Sequence, residues 1–279
     1  MKRIENEKET DKIKKVFLFS PAYNVSEQLP TLLRRVEDLV VILEKRGVDA
    51  TYLLIDDASQ DETLSIAQEF AENYSWLTVK HNKANQGVAK TLLRGFNYIL
   101  SQTEADQSSA IGLFDSDGEH NPLDVRIYLE EIEKSRGKIT GVVGSIIYPH
   151  SRIGWVDMNM MRFLGALQAE LIDAEHFYIQ SPGFQLHLTP YVRTAVRTLL
   201  PRYRVFFEEN FGPFPRWGLT AVIDVLMTIS GAKIKSVYLG CFGKPPNRST
   251  AKREEQALAA LTHQRALRLF VQQLQMGRI

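Results

Sequence analysis

The chain has 279 residues, 44% of them hydrophobic, and its 34 Lys and Arg against 33 Asp and Glu leave a formal charge of +1. That length and apolar content suffice for one sizeable core, while the near-neutral balance excludes a global field for nucleic acid, so specificity must reside in local sites. The single cysteine, Cys241, excludes an intramolecular disulfide framework and a cysteine-rich zinc cluster, and no apolar run approaches the roughly 20 residues that span a bilayer. With no secretory h-region either, the chain reads as cytoplasmic.

Residues 1–15 (MKRIENEKETDKIKK) are dominated by charge and are expected to form a solvated, flexible tail. From Val16 onward, the apolar runs VFLFS (16–20), TYLLI (51–55), LTV (77–79), AIGLF (110–114) and TGVVGSIIY (140–148) predict strands. Between them, residues 30–46, 61–74 and 87–101 repeat apolar side chains at steps of three and four, as in Leu32, Leu33, Val36, Leu39, Val40 and Leu43, and predict helices. A further helix is expected from Pro122. In the second half, residues 206–217 (FFEENFGPFPRW) read as a shaped loop, 219–230 as an amphipathic helix, and the stretch up to Leu239 as a strand. Near-continuous apolar strands, each followed by a helix, indicate βαβ crossovers and hence an α/β domain with a mostly parallel sheet covered by helices on both faces. The expected organisation is a tail (1–15), one domain (16–250, with halves 16–124 and 125–250) and a C-terminal amphipathic helix (251–279). That helix would pack on the domain or on a second subunit as a homo-oligomer, and its Lys252, Arg253, Arg265 and Arg268 also suit peripheral contact with the cytoplasmic face of a membrane.

Ligands of such sheets bind beyond the carboxyl ends of the strands. The exits are Pro21-Ala22-Tyr23-Asn24, Asp56-Asp57-Ala58-Ser59-Gln60-Asp61, His81-Asn82-Lys83 and Asp115-Ser116-Asp117-Gly118-Glu119. Ser59 or Asp61 alone could simply cap the next helix, but four polar exits on one rim favour a binding site. In extended backbone Asp115 and Asp117 project to one side while Ser116 points away, so both acids can meet one hard cation, Mg²⁺ or Mn²⁺, with Glu119 as a third ligand or supporting contact. A bare D-x-D is common, and a polar turn is the bland alternative. A calcium loop of the EF-hand type is excluded because its twelfth position is Arg126.

The succession PAYN (21–24), IDDASQDET (55–63), NQGVAKTLLRGF (85–96) and DSDGEHNPLD (115–124) resembles the family 2 glycosyltransferases, with their GT-A (Rossmann-like) fold, and most of all their dolichyl- or polyprenyl-phosphate hexosyltransferase branch. The resemblance implies that Pro21, Tyr23, Ile55 and Asp57 line a base and ribose pocket. It further implies that Asp115, Ser116 and Asp117 hold a nucleotide diphosphate through a metal, that Glu119 is a further metal ligand, and that Arg162 and Arg248 lie near an acceptor phosphate. The branch's arginines are replaced by Ile146 and Gln185, its acid after Tyr-Asn by Val25, and the glycine of Asp-Asp-Gly-Ser by Ala58. This last change matters only where positive φ is required.

The implied reaction moves a hexose from a GDP- or UDP-sugar, with inversion, to a polyprenyl phosphate or other anionic acceptor, the metal on Asp115 and Asp117 acting as Lewis acid. An anionic acceptor needs no base. A hydroxyl acceptor on a glycan or small molecule would need one, for which Asp224 and Glu209 are the candidates. A nucleotidyltransferase would show a glycine-rich loop after the first strand, which PAYNVSEQLP lacks. A non-catalytic nucleotide-binding module would have no use for two metal-spaced carboxylates.

Overall fold

The structure is a computed structural model, described here over residues 12–103, 108–118, 120–145, 185–238 and 250–279. Seven strands, β1 (Lys15–Ala22), β2 (Asp49–Asp56), β3 (Leu77–His81), β4 (Ser109–Leu113), β5 (Gly141–Ser145), β6 (Gln185–Leu188) and β7 (Ile234–Tyr238), form one sheet in the order β3-β2-β1-β4-β6-β5-β7. All neighbours pair in parallel except β6, which runs antiparallel between β4 and β5. The helices are α1 (Leu29–Lys45), α2 (Thr63–Asn73), α3 (Val88–Gln102), α4 (Val125–Lys134, after a 3-10 turn over Pro122–Asp124), α5 (Thr189–Thr194), α6 (Leu200–Phe211), α7 (Leu219–Ile229) and α8 (Thr250–Gln275). A π-helical stretch, Ala195–Leu199, joins α5 to α6.

Alternate residues of the central strands feed two cores. Val16, Leu18, Tyr52 and Leu54 pack with α1 and α4, and Phe17, Phe19, Leu53 and Ile55 pack with α3, α6, α7 and α8. This two-sided burial explains the nearly unbroken apolar runs: with helices on both faces, few positions of the central strands are left for water. Helix α3 comes close to β1 because Gly95 has no side chain; a Cβ there would lie 2.5 Å from the Phe19 ring. Phe96 beside it meets Phe19 edge-on at 4.8 Å.

Two expectations need correction. Ile13 is buried in the α1 core and Lys15 opens β1, so the expected tail does not extend through residue 15; an apolar residue with a pocket to fill outweighs its charged neighbours. The stretch 206–217 is not all loop, because Phe206 and Phe207 are buried on α6, which continues to Phe211 before Gly212 (φ +91°) ends it. Glu208 and Glu209 are therefore exposed residues of a helix, and Glu208 accepts a hydrogen bond from Arg204 Nε at 2.8 Å. The sheet is mostly parallel, as expected; its antiparallel member β6 carries Gln185 and His187 on one face and Leu186 and Leu188 on the other.

Helix α8 packs on the domain through Ala266, Leu267 and Phe270. Its His263, 1% exposed, donates from Nε2 to the Trp217 carbonyl (3.2 Å) and accepts at Nδ1 from the Tyr203 hydroxyl (2.9 Å), so it is held as the neutral ring. Burial pushes its pKa down to about 4, with the Trp217 carbonyl acting in the opposite sense.

At the β2 exit, Ala58 takes φ +60°, so the position that resembles a family glycine does require the left-handed region. The Cβ costs about 1 kcal/mol there. Ala58→Gly is therefore expected to raise stability by up to about 1 kcal/mol, read as a higher urea midpoint at unchanged slope. His263 binds a proton more readily in the unfolded chain (pKa about 6.5) than in the folded one (about 4), so the folded state loses stability as pH falls through that window, by about 3 kcal/mol in all. His263→Gln should flatten that part of the pH–stability profile; an unchanged slope between pH 6.5 and 4 would refute the assignment.

Candidate active site

The rim is assembled by side chains that lock neighbouring strand exits together. Asn24 accepts at Oδ1 from the Gln60 N–H (2.8 Å) while its own N–H donates to Ser59 Oγ (2.9 Å). The Val25 N–H donates to Thr63 Oγ1 at 2.8 Å and the Ser26 N–H to Asp61 Oδ2 at 3.1 Å. Val25, where the family resemblance expects an acid, is buried in the core. Asp61 also caps α2, accepting from the Thr63 N–H at 3.0 Å. Partial burial alone would raise its pKa, but the hydrogen bonds from Thr63 and Ser26 outweigh that and hold it at about 2. The capping reading thus holds for Asp61, while Ser59 ties β2's exit to β1's.

Asp57 is 4% exposed and accepts three hydrogen bonds, from Asn82 Nδ2 (2.7 Å) and the Gln86 N–H (2.8 Å) at Oδ1 and from the Gly87 N–H (2.9 Å) at Oδ2. Its neighbour Asp56 is fully buried, with Oδ2 2.8 Å from His81 Nδ1 and both oxygens within 3.3 Å of the Ser59 N–H. Arg94 donates to the His81 carbonyl at 2.8 Å and to Asn82 Oδ1. The β2 and β3 exits are therefore one hydrogen-bonded unit, and Asp57 orders the turn that starts α3.

Next to it, the β4 exit is tied to β1. The Ser116 hydroxyl, 4% exposed, donates to the Pro21 carbonyl at 2.7 Å. It points inward between two half-buried carboxylates, Asp115 and Asp117, and Gly118 (φ +82°) makes the tight turn behind them. The hydroxyl expected to face a diphosphate is thus committed to joining the loops. Two carboxylates flanking an inward serine fit the donor set of a hard divalent cation that completes its shell with substrate phosphate. Among the described residues, no three His, Cys, Asp or Glu side chains converge on one point, so such a cation would draw the rest of its ligands from elsewhere. His120, following the turn, is buried rather than solvated.

The other expected residues divide as follows. Tyr23 is 45% exposed on the β1 exit. Ile55 does not line an open pocket at the strand exits: it is fully buried under α3, where its side chain floors a cavity of about 470 Å³ walled by Lys80, Arg94, Asn97 and Tyr98. Asp224 on α7 is also fully buried, with Oδ1 3.4 Å from His187 Nε2 on β6, and burial drives its pKa up against the opposing effect of that histidine. Gln185, where the resemblance expects an arginine, is a buried neutral partner of the same histidine at 2.8 Å. Glu119, Arg162 and Arg248 lie outside the described residues. Sequence reasoning missed Asn82, the donor that shares Asp57, and Arg216, whose side chain lies over Gly87. For Arg216, the available signal was a cation inside the proline- and glycine-rich FGPFPRWG.

Residues 18–197 match the profile described as Glycosyl transferase family 2. An uncharacterized protein of Methanocaldococcus jannaschii is 28% identical over 159 residues, 57% of this chain and 63% of that protein. The undecaprenyl-phosphate 4-deoxy-4-formamido-L-arabinose transferase of an Enterobacter strain is 34% identical over 88 residues, 31% of this chain and 26% of that protein. The chain thus spans less than two thirds of either relative. Among solved structures, mannosyl-3-phosphoglycerate synthase from Rubrobacter xylanophilus superimposes with a TM-score of 0.58 at 17% identity, over 95% of this chain and 76% of that one. Glucosyl-3-phosphoglycerate synthase from Mycobacterium tuberculosis, in complex with Mn²⁺, UDP-glucose and phosphoglyceric acid, gives 0.53 at 18%, over 90% and 79%. The profile covers well over half of the chain and the superpositions nearly all of it: the protein belongs to glycosyl transferase family 2 and has its GT-A fold.

Proposed function

We propose that the protein is a glycosyltransferase that moves a hexose from a nucleoside-diphosphate sugar to an anionic acceptor. The observation that carries this reading is the Ser116–Pro21 hydrogen bond, which joins the Asp115/Asp117 turn to the exit bearing Tyr23, beside the exit bearing Asp57. Across three adjacent strands, a site for a base and ribose would then run straight into a site for a metal-bound diphosphate. Asp115 and Asp117 would hold the cation. Bound there, a Mg²⁺ or Mn²⁺ ion would neutralise charge developing on the departing diphosphate. The solved structure with Mn²⁺ and UDP-glucose supports a divalent metal and a nucleotide sugar, and leaves the choice of metal and base open to experiment.

The chain's own contribution is order and exclusion. The locked exits keep the turn of the two carboxylates and the loop that bears Tyr23 in place before the donor arrives, so less freedom is lost on binding. Inversion by single displacement breaks the bond from the anomeric carbon to the diphosphate as the acceptor oxygen attacks from the opposite face. A phosphate monoester oxygen is already charged and needs no base, which suits a polyprenyl phosphate such as the one named for the Enterobacter relative. A second reading, a small phosphorylated acceptor attacked through its hydroxyl, draws support from the phosphoglycerate synthases that share the fold. Asp224 is poorly suited as its base, since its carboxylate is fully buried against His187. No described helix is long and apolar enough to cross a membrane; a lipid acceptor would be met at the surface, where α8 exposes Leu258, Leu261 and Leu269.

Calorimetric titration with UDP- and GDP-sugars, with and without Mn²⁺, should show metal-dependent binding of one donor, and Asp115→Asn or Asp117→Asn should lower turnover by about a hundredfold or more with little change in melting temperature. Binding of neither nucleotide under any metal condition would sink the reading. Asp224→Asn tests the base. Because burial raises the Asp224 pKa, the folded state is favoured by its protonated form and loses stability as pH rises above the unfolded value. The variant should be more stable than the parent at pH 8, with the gap closing toward pH 4, and should keep its turnover; loss of turnover would make Asp224 part of the chemistry.

A further inference from the structure

The loop between α6 and α7 is constructed to hold one side chain still. Gly212 and Gly218 bracket it with φ of +91° and +88°, and Pro213 and Pro215 stiffen the stretch between them. Two hydrogen bonds pin its end: the Ala89 N–H donates to the Arg216 carbonyl at 3.3 Å, and His263 Nε2 donates to the Trp217 carbonyl at 3.2 Å. Between these anchors the Arg216 side chain lies across Gly87, so closely that a Cβ at position 87 would sit 2.9 Å from its Nε. The N–H of the same Gly87 donates to Asp57.

The guanidinium so positioned is exposed, and its one hydrogen bond runs from Nη2 to the neutral Asn85 Oδ1 at 3.3 Å. Among the described residues it makes no ion pair, and the first turn of α3 beneath it carries no acid. An exposed arginine ordinarily either wanders in solvent or pairs with a carboxylate. This one pairs with no carboxylate, and most of its five donors stay available in the plane of the guanidinium. A planar fork of that kind matches the oxygens of a phosphate, and the N-terminal end of α3 adds positive potential of its own.

Its location selects among phosphates. The seat of Arg216 is the turn held by Asp57, on the β2 side of the rim, and the carboxylates proposed to carry the cation lie at β4, with β1 between them. That span is where the donor would lie. The acceptor must reach the anomeric carbon from the face away from the leaving group, and so from the far side of the sugar. We infer that Arg216 is a donor-binding residue, which the α6–α7 loop supplies to grip the diphosphate of the nucleotide sugar. The inference rests on the reading of the protein as a nucleotide-sugar enzyme and adds to it a residue far along the chain from every motif that suggested that reading.

The test compares wild type, Arg216→Ala and Arg216→Lys by calorimetric titration with UDP and GDP and with uridine and guanosine, all with Mn²⁺, and follows with donor and acceptor KM. Circular dichroism and melting temperature confirm that each variant is folded, as expected for an exposed side chain. For whichever diphosphate the wild type binds, Arg216→Ala should weaken binding about tenfold or more, as for loss of a charge-assisted contact, with the nucleoside unchanged and Arg216→Lys in between. Donor KM should rise in step while acceptor KM stays the same. Unchanged diphosphate binding in Arg216→Ala, or equal weakening of nucleoside and diphosphate, overturns the role of Arg216 while leaving the transferase reading intact. A rise confined to acceptor KM moves the residue to the acceptor and likewise overturns the inference. Failure of the wild type to bind either diphosphate removes the transferase reading and this inference together.

Discussion

The three hydrogen bonds received by Asp57 are the constraint from which the rest of the rim follows. A buried carboxylate is costly unless it is surrounded by donors, and here the donors come from segments that would otherwise be separate: the Asn82 side chain at the end of β3 and two backbone N–H groups where α3 begins. Satisfying one side chain therefore fixes the length and path of the β3–α3 turn. That turn sets where α3 lies, and Gly95 lets it settle onto Phe19. The same turn provides the surface on which Arg216 rests. One acid just past the second strand thus couples the hydrophobic interior to the rim of strand exits.

The β4 exit obeys a complementary rule. Its two half-buried carboxylates are kept in place by the inward hydroxyl between them, so the spacing of Asp115 and Asp117 is set by the scaffold rather than by a bound ion. A site ordered before its ligand arrives spends less binding energy on arrangement.

Much of this could be read from sequence, for a physical reason. The parallel strands are buried on both faces, so their apolar runs are unbroken, and the intervening helices show a single apolar stripe; both patterns are local and survive in a one-dimensional string. The DSD and IDD motifs also lay where strand exits must be. What escaped depends on contacts between distant residues. Strand β6 is four residues long and mixes Gln and His with Leu, since its polar side chains face Asp224 on a helix some forty positions away. The extension of α6 into a stretch rich in Phe, Gly and Pro follows from the burial of Phe206 and Phe207 against α8, which no local propensity reveals. Alternation along an extended chain already turned Ser116 away from the two acids, but its partner, the Pro21 carbonyl, was not legible, and neither was the direction of Ile55, which turns into the core. The left-handed conformation of Ala58 was foreseeable only as a condition on a glycine replaced.

The clasp of His263 on Trp217 has a bearing on the order in which the molecule comes together. The interlocked exits of β1, β2 and β3 are held by hydrogen bonds between segments that lie near one another in the sequence. The arch that carries Arg216 is secured from further off, because the imidazole at its far end belongs to α8, 46 residues along the chain from Trp217. The rim therefore joins a part closed by contacts near in sequence to an arch that is complete only when α8 docks on the domain.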